Sequence, residues 1–369
     1  MILIVKNIIT ELLIKDDDIM YVNEDIRNTV RVFPPQERYD FLRYDMNENP
    51  EGLPLEFVED VKKEITPEFL SIYPEPDRFL RKYAEYIGVD FSNVATTNGS
   101  DMAIRYLLET FGEKGKKVVT VAPSFEMYWV NCNILGYKHV PVSYNEDLSI
   151  NVDDIISAID NDTRVVVLLN PNNPVGNVYS DDEAEKIIKK AAEVEALVIV
   201  DEAYHYFYEK TFLPFVKKYN NVAILRTFSK LFSIAACRLG IVIGSEEIIH
   251  YVKNARLTFD ANAIALLFAE RIIDHPEIEQ QLIATEKEGR RYILDRLSSE
   301  GYECRDCKGN FIFVKPKMDP VKLADRLKSE YKILVKTFAN PLLSKYLRIS
   351  TGSVEAMKKF LTPFLQCDK

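Results

Sequence analysis

Val222-Ala-Ile-Leu-Arg-Thr-Phe-Ser-Lys-Leu-Phe-Ser-Ile-Ala-Ala-Cys-Arg-Leu-Gly240 is the stretch on which the fold turns. It opens as a short apolar run, 222–225, which reads as a buried strand. A polar break follows at 227–230, and a small-residue apolar segment then leads to Arg238. Burying an unpaired ammonium is costly, so a lysine at the end of a buried strand either lies at a surface turn or is used. Taken alone, the surface turn is the commoner meaning. A desolvated lysine, however, is a nucleophile able to form a Schiff base. The Ser229 hydroxyl and the Arg238 guanidinium nearby suit a phosphate. Together the three side chains match an aldehyde cofactor with a phosphate tail, which is pyridoxal 5'-phosphate.

On either side of this stretch the pattern alternates strand and helix. Residues 94–97, 117–121, 140–143, 163–169, 196–200 and 240–244 read as strands. Helical spacing predicts helices from 98 to about 111, over 125–135 and 152–159, and from Ser180, with Asp181 and Glu183 in its first turn. Such alternation, with continuous apolar strands, means a mostly parallel sheet covered by helices. Ligands gather at the carboxyl ends of the strands in such sheets. The polar motifs stand there: Ser124 and Phe125, Asn173, Asp201 and Tyr204, and Lys230. Packing alone does not explain several chemically distinct residues converging on one edge. Asn98-Gly-Ser-Asp101 at a helix start offers backbone N–H groups to an anion, although capping by Ser100 or Asp101 is the commoner use.

Ahead of the sheet, residues 1–44 carry little pattern beyond an extended 31–36. Tyr44-Asp-Met-Asn-Glu-Asn-Pro-Glu-Gly-Leu-Pro54 reads as a structured loop, 53–65 and 78–87 as amphipathic helices, and Tyr73-Pro-Glu-Pro-Asp77 as a rigid turn. Beyond 246, helices at about 260–273 and 276–299 precede Asn310-Phe-Ile-Phe-Val, Lys332-Ile-Leu-Val-Lys and Tyr346-Leu-Arg-Ile-Ser, which read as strands of a separate unit. The expected fold class is α/β. A large domain with the mostly parallel sheet spans 46–254, and a smaller α+β domain spans 255–369. Arg348 stands between Leu347 and Ile349, so strand alternation turns it to the opposite face. A strand arginine is usually solvated; this one is a candidate carboxylate clamp.

The chain of 369 residues carries a net charge of −10 and a pI near 5.2, which argues against nucleic acid or an anionic membrane as its main partner. Its apolar runs are too interrupted to span a bilayer, so a cytoplasmic protein is expected. Five scattered cysteines make no disulfide framework. Cys304-Arg-Asp-Cys307 is a lone CxxC with no histidine near it, and no metal site is expected.

Eight motifs, in order, resemble those of the class I and II aminotransferases of pyridoxal-phosphate fold type I. Within that class the resemblance is to the histidinol-phosphate aminotransferase group, which also takes in threonine-phosphate decarboxylase-like enzymes. The motifs are Asn47-Glu-Asn-Pro, Tyr73-Pro-Glu-Pro, Asn98-Gly-Ser-Asp, Ala122-Pro-Ser-Phe-Glu-Met-Tyr, Asn170-Pro-Asn-Asn-Pro-Val-Gly, Asp201-Glu-Ala-Tyr, Ser229-Lys230 with Arg238, and Leu347-Arg-Ile-Ser-Thr-Gly. The resemblance runs from about residue 44 to the C-terminus. It implies Lys230 as the Schiff-base lysine and proton shuttle, and Asp201 as partner of the pyridinium nitrogen. It implies Asn173 and Tyr204 on the ring's phenolic oxygen, and Phe125 stacked on the ring where a tyrosine is usual. Gly99, Ser100, Asp101, Ser229 and Arg238 would cradle the phosphate, with Tyr73 reaching it from a partner subunit. Arg348 would take the substrate carboxylate, with Asn47 and Lys336 also on the substrate side. The resemblance also implies a homodimer with shared active sites, and residues 1–45 as an arm and part of the small domain.

The chain departs from the family pattern in three places. Val32-Phe-Pro-Pro-Gln-Glu-Arg38 replaces a Pro-Tyr-x-Pro-Gly type of stretch, Arg256-Leu-Thr-Phe-Asp-Ala-Asn-Ala263 replaces a Pro-Tyr/Phe-Asn-Val-Asn type, and Lys336 stands where arginine is frequent. All three are expected on the substrate side. They point to a phosphorylated substrate smaller than one with an imidazole, whose phosphate is met by Lys336, Arg256, Arg31 or Arg38. The expected reaction is amino transfer between an amino acid such as glutamate and a small phosphorylated keto compound. Decarboxylation of an O-phosphoamino acid is the alternative, since it draws on the same cofactor residues.

Overall fold

The computed structural model describes residues 20–29 and 37–369. Most of the expected arm, Arg31 and residues 32–36 lie outside them. A short strand, β1 (Leu42–Arg43), precedes the main sheet of β2 (Val94–Asn98), β3 (Lys117–Ala122), β4 (Lys138–Ser143), β5 (Thr163–Leu169), β6 (Leu197–Asp201), β7 (Val222–Thr227) and β8 (Leu239–Gly244). The spatial order is β2-β8-β7-β6-β5-β3-β4. Pairs from β4 through β7 are parallel, and β8 runs antiparallel to both of its neighbours, β7 and β2.

The inner strands β5, β6 and β8 and the start of β7 read as apolar runs because both faces are covered. On β7, Val222 and Ile224 enter one core cluster while Ala223 and Leu225 enter the other. Helices Asp77–Ile87, Asp181–Glu193 and Ala263–Asp274 pack on the first face. Helices Gly99–Phe111, Glu126–Leu135 and Glu246–Ala255 pack on the second. Because β2 and β7 are both antiparallel to β8, they are parallel to each other. The carboxyl ends of β2, β3, β5, β6 and β7 and the amino end of β8 therefore share one edge. That edge carries the polar motifs.

Beyond the sheet come β9 (Glu303–Asp306), β10 (Phe311–Lys315), β11 (Ile333–Leu334) and β12 (Leu347–Ser350). β9, β10 and β12 form an antiparallel sheet with β10 in the middle, over a third core cluster that includes helix Val354–Cys367. The stretch from 332 to 336 is split rather than one strand. Ile333 and Leu334 pair with β1, and Lys336 then bridges to Arg348. β9 is missing from the sequence reading because its four residues, Glu-Cys-Arg-Asp, give almost no apolar alternation.

Candidate active site

Lys230 lies three residues past β7, half-buried, with its Nζ donating to the Met46 carbonyl at 2.9 Å and 5.7 Å from the centre of the Tyr204 ring. A cavity of about 210 Å³ opens beside it, walled in part by Leu53, Phe207, Glu286, Asn310 and Thr351. Asp201 closes β6 and is buried. Its Oδ1 accepts the Ala203 N–H at 3.1 Å and its Oδ2 accepts the Tyr128 hydroxyl at 2.9 Å. Both donors are neutral, and burial pushes the carboxyl up to about 6.

Gly99 opens helix Gly99–Phe111 at φ +71°, and no side chain caps that helix, so neither Ser100 nor Asp101 serves as the cap. A Cβ at Gly99 would stand 2.3 Å from Arg238 Nη2, so only glycine lets the guanidinium lie across the turn. Arg238 Nη1 reaches Ser229 Oγ at 3.4 Å, and Nη2 reaches Asp101 Oδ2 at 3.2 Å. With its carboxylate engaged by Arg238, Asp101 offers an anion its backbone N–H. A helix N-terminus, a hydroxyl and an arginine thus face one another.

Arg348, on β12, is buried. Its Nη1 donates to Asn173 Oδ1 at 2.6 Å and its Nη2 to the Asp45 carbonyl at 2.7 Å. Its Nε has no partner among the described residues, and burial lowers the guanidinium's pKa. Lys336 faces it across the bridge, with backbone bonds of 3.1 and 2.9 Å, and its side chain is exposed. Residues directly opposite on antiparallel strands project from the same face, so two cations leave side by side. Asn47, at φ +57°, donates its Nδ2 to the Tyr204 hydroxyl at 2.9 Å and its backbone N–H to Ser350 Oγ at 2.8 Å.

Phe125 is half-buried at the N-cap of helix Glu126–Leu135. Tyr73 stands apart, 71% exposed and stacked on Phe259 with ring centres 4.2 Å apart. Two candidate phosphate ligands are engaged elsewhere. Arg38 pairs with Asp45 and Glu48, and Arg256 donates to Thr96. Tyr128 is the residue that sequence reasoning passed over. It lies inside a quoted motif and one helical turn after Phe125, which is a signal available only once Phe125 is placed at the ring.

Pyridoxal phosphate fits this donor set. The buried Asp201 carboxylate has neutral partners and lacks a cation, which a pyridinium supplies. The Gly99 turn lets the Arg238 guanidinium lie against the start of a helix, a donor set suited to an anion, and Lys230 is an amine within the same edge.

The family model for class I and II aminotransferases matches residues 40–364. The chain is 31% identical over 342 residues to the histidinol-phosphate aminotransferase of Clostridium novyi (strain NT), covering 90% of this chain and 94% of that protein. It is 34% identical over 346 residues to the histidinol-phosphate aminotransferase of Ruminiclostridium cellulolyticum, covering 90% and 95%. Its fold matches the histidinol-phosphate aminotransferase of Sinorhizobium meliloti in complex with pyridoxal-5'-phosphate, with a TM-score of 0.84, 21% identity and coverage of 96% of this chain and 99% of that one. It matches the histidinol-phosphate aminotransferase of Clostridium acetobutylicum with a TM-score of 0.80, 24% identity and coverage of 89% and 99%.

Proposed function

The chain belongs to the class I and II aminotransferases, enzymes that work with pyridoxal 5'-phosphate, and from that premise we propose that it transfers the amino group of histidinol phosphate to 2-oxoglutarate, giving glutamate and the keto form of the phosphate ester, or runs the reverse, as a cytoplasmic homodimer. The observation that carries the substrate is the paired Arg348 and Lys336. Glutamate bears a carboxylate on its Cα, whereas histidinol phosphate bears a phosphate ester one carbon further out. One pocket must accept both anions in turn. Arg348, with a bare Nε, suits either, and Lys336 beside it adds a point charge for the doubly charged phosphate. The departure at 256–263 no longer argues for a smaller substrate, because Arg256 and Asp260 are turned onto β2 and its following helix.

On this reading, Lys230, Asn173, Tyr204, Phe125, Gly99, Ser100, Asp101, Ser229 and Arg238 hold the cofactor, which when bound supplies an aldehyde and an electron-withdrawing ring. Asp201 keeps a proton on the ring nitrogen, and Tyr128 and Ala203 fix its carboxylate. Lys230 leaves the Met46 carbonyl and moves the proton at the substrate's Cα. Asn47 orients the Tyr204 hydroxyl. Residues 46–254 carry the cofactor, and 255–369 the wall that meets the substrate's anion.

Leu70, Ile72, Tyr73, Leu257 and Phe259 are each more than half exposed, an apolar face that supports pairing with a second copy and delivery of Tyr73 to its site. Scattered cysteines favour a reducing compartment.

The test is 2-oxoglutarate-dependent turnover of histidinol phosphate beside histidinol, with phosphothreonine assayed for release of carbon dioxide. The expected result is turnover of histidinol phosphate, little of histidinol, and a loss of about fivefold in kcat/KM for the phosphate in Lys336→Ala, the upper end for an exposed charge pair. Equal rates with histidinol sink the substrate, and carbon dioxide from phosphothreonine replaces transfer with decarboxylation.

A further inference from the structure

Arg256-Leu-Thr-Phe-Asp-Ala-Asn262 follows helix Glu246–Ala255 and touches three elements that frame the Gly99 turn. Arg256 Nη1 donates to Thr96 O at 3.1 Å and to Thr96 Oγ1 at 2.9 Å, near the end of β2. Asp260 is buried, and its Oδ2 accepts the Asn98 N–H at 2.8 Å while its Oδ1 accepts the Tyr106 hydroxyl at 2.9 Å. Asn262 Nδ2 donates to the Cys237 carbonyl at 2.7 Å, one residue before Arg238. One short segment thus holds the strand that enters the turn, the helix that leaves it, and the loop that carries the arginine across it.

We propose that residues 256–262 are a positioning clamp for the phosphate cradle, with Asp260 as its anchor. The proposal rests on the reading that Gly99, Ser229 and Arg238 receive the cofactor's phosphate. Asp260 is not a ligand of that phosphate: one of its oxygens accepts the Asn98 N–H and the other the Tyr106 hydroxyl. It takes the N–H of Asn98, the residue just before the helix, and so fixes the angle at which the next N–H groups leave the backbone. Tyr106, two turns along the same helix, holds the other carboxylate oxygen, so strand end and helix are locked by one side chain. Preorganised donors bind an anion without first being ordered.

The test uses the full-length protein freed of cofactor and titrated with pyridoxal phosphate or with pyridoxal, which lacks the phosphate. Wild type is expected to prefer the phosphorylated form strongly. Asp260→Ala should weaken pyridoxal phosphate binding about tenfold and leave pyridoxal unchanged, the scale of one lost hydrogen bond to a charged group. Asp260→Asn keeps an acceptor for the Asn98 N–H and a partner for Tyr106, and should restore most of the preference. Tyr106→Phe, a milder change, should give a smaller loss in the same direction and serves if Asp260→Ala does not fold. An equal loss for both ligands means general unfolding and overturns the clamp, as does an unchanged preference. A wild type without preference for the phosphate overturns the cradle itself.

Discussion

Asp201→Asn should make the cofactor-free protein more stable while crippling turnover. The Asp201 carboxyl is buried and held by two neutral donors, and burial moves it from 3.8 to about 6. At about 1.4 kcal/mol per pH unit, that amounts to about 3 kcal/mol of penalty for holding the charge without a cation. A carboxyl raised in the fold binds its proton more tightly folded than unfolded. Its penalty is therefore absent below about pH 4, grows as the pH rises, and is complete above about pH 6. Asparagine fits the same place, accepting from Ala203 with its oxygen and donating to the Tyr128 oxygen with its amide. With about 2.1 cal/mol/K of unfolding entropy per residue over the 369-residue chain, 3 kcal/mol corresponds to a Tm higher by about 4 °C. The assay is thermal melting of both cofactor-free proteins at pH 8 and at pH 4. The gap should be present at pH 8 and close at pH 4. In the presence of pyridoxal phosphate, turnover by the variant should fall on the order of a hundredfold or more, because the ring nitrogen loses its counter-charge. A variant no more stable than wild type at pH 8, or a gap that persists at pH 4, refutes the assignment of Asp201 as a charge awaiting a cation.

Lys230→Ala should abolish the visible absorption band, and borohydride reduction of the wild type should leave the cofactor's mass on the peptide containing Lys230; a label elsewhere contradicts the role. Tyr128→Phe should lower turnover about tenfold with the KM for glutamate unchanged, the scale of one hydrogen bond to a charged group. Its effect should largely vanish in an Asp201→Asn background, because the two side chains act through one carboxylate. Tyr73→Phe should weaken retention of pyridoxal phosphate by a protein that sediments as a dimer; a monomer with full activity rules out a shared site.

The sheet was legible because its evidence is local. Each buried strand is a continuous apolar run, and each ends in residues that do not belong in a core, such as Asp201 and Lys230. The residues proposed to hold the cofactor sit mostly within a few positions of those ends, so their place follows from the strand. What the sequence did not disclose are pairings between distant positions. Asp260 reaches back to Asn98, and Asn47 reaches forward to Tyr204, and no local pattern marks either bond. The same limit explains the reading of Arg38 and Arg256 as ligands. A basic residue in a variable loop looks available until its acceptors, Asp45 with Glu48 and Thr96, are seen. Gly176 is a further case: a Cβ there would stand 2.4 Å from that of Cys307, a contact between stretches more than a hundred residues apart.

Among the described residues, two contrasting cases of buried charge are separated by the kind of partner. Arg226 and Glu202 are buried together: Nε and Nη2 reach Glu202 Oε2 at 3.0 and 2.9 Å, and Thr211 and the Phe212 N–H complete the carboxylate. That pair is neutral as a whole and satisfied, and removing either member strands the other. Asp201 and Arg348 are buried as deeply, yet their partners are a phenol, an amide and backbone groups. Neither has an opposite charge in hydrogen-bonding contact; Lys230 acts on Asp201 and Asp45 on Arg348 only as smaller, longer-range influences. The two buried charges are opposite in sign. Burial raises the carboxyl's pKa and lowers the guanidinium's, so in both cases the protein strains against the charged form. In the proposed site, a cationic ring nitrogen would relieve the first strain and an anionic substrate the second. On the proposed reading, ligand binding returns stability at both of these residues.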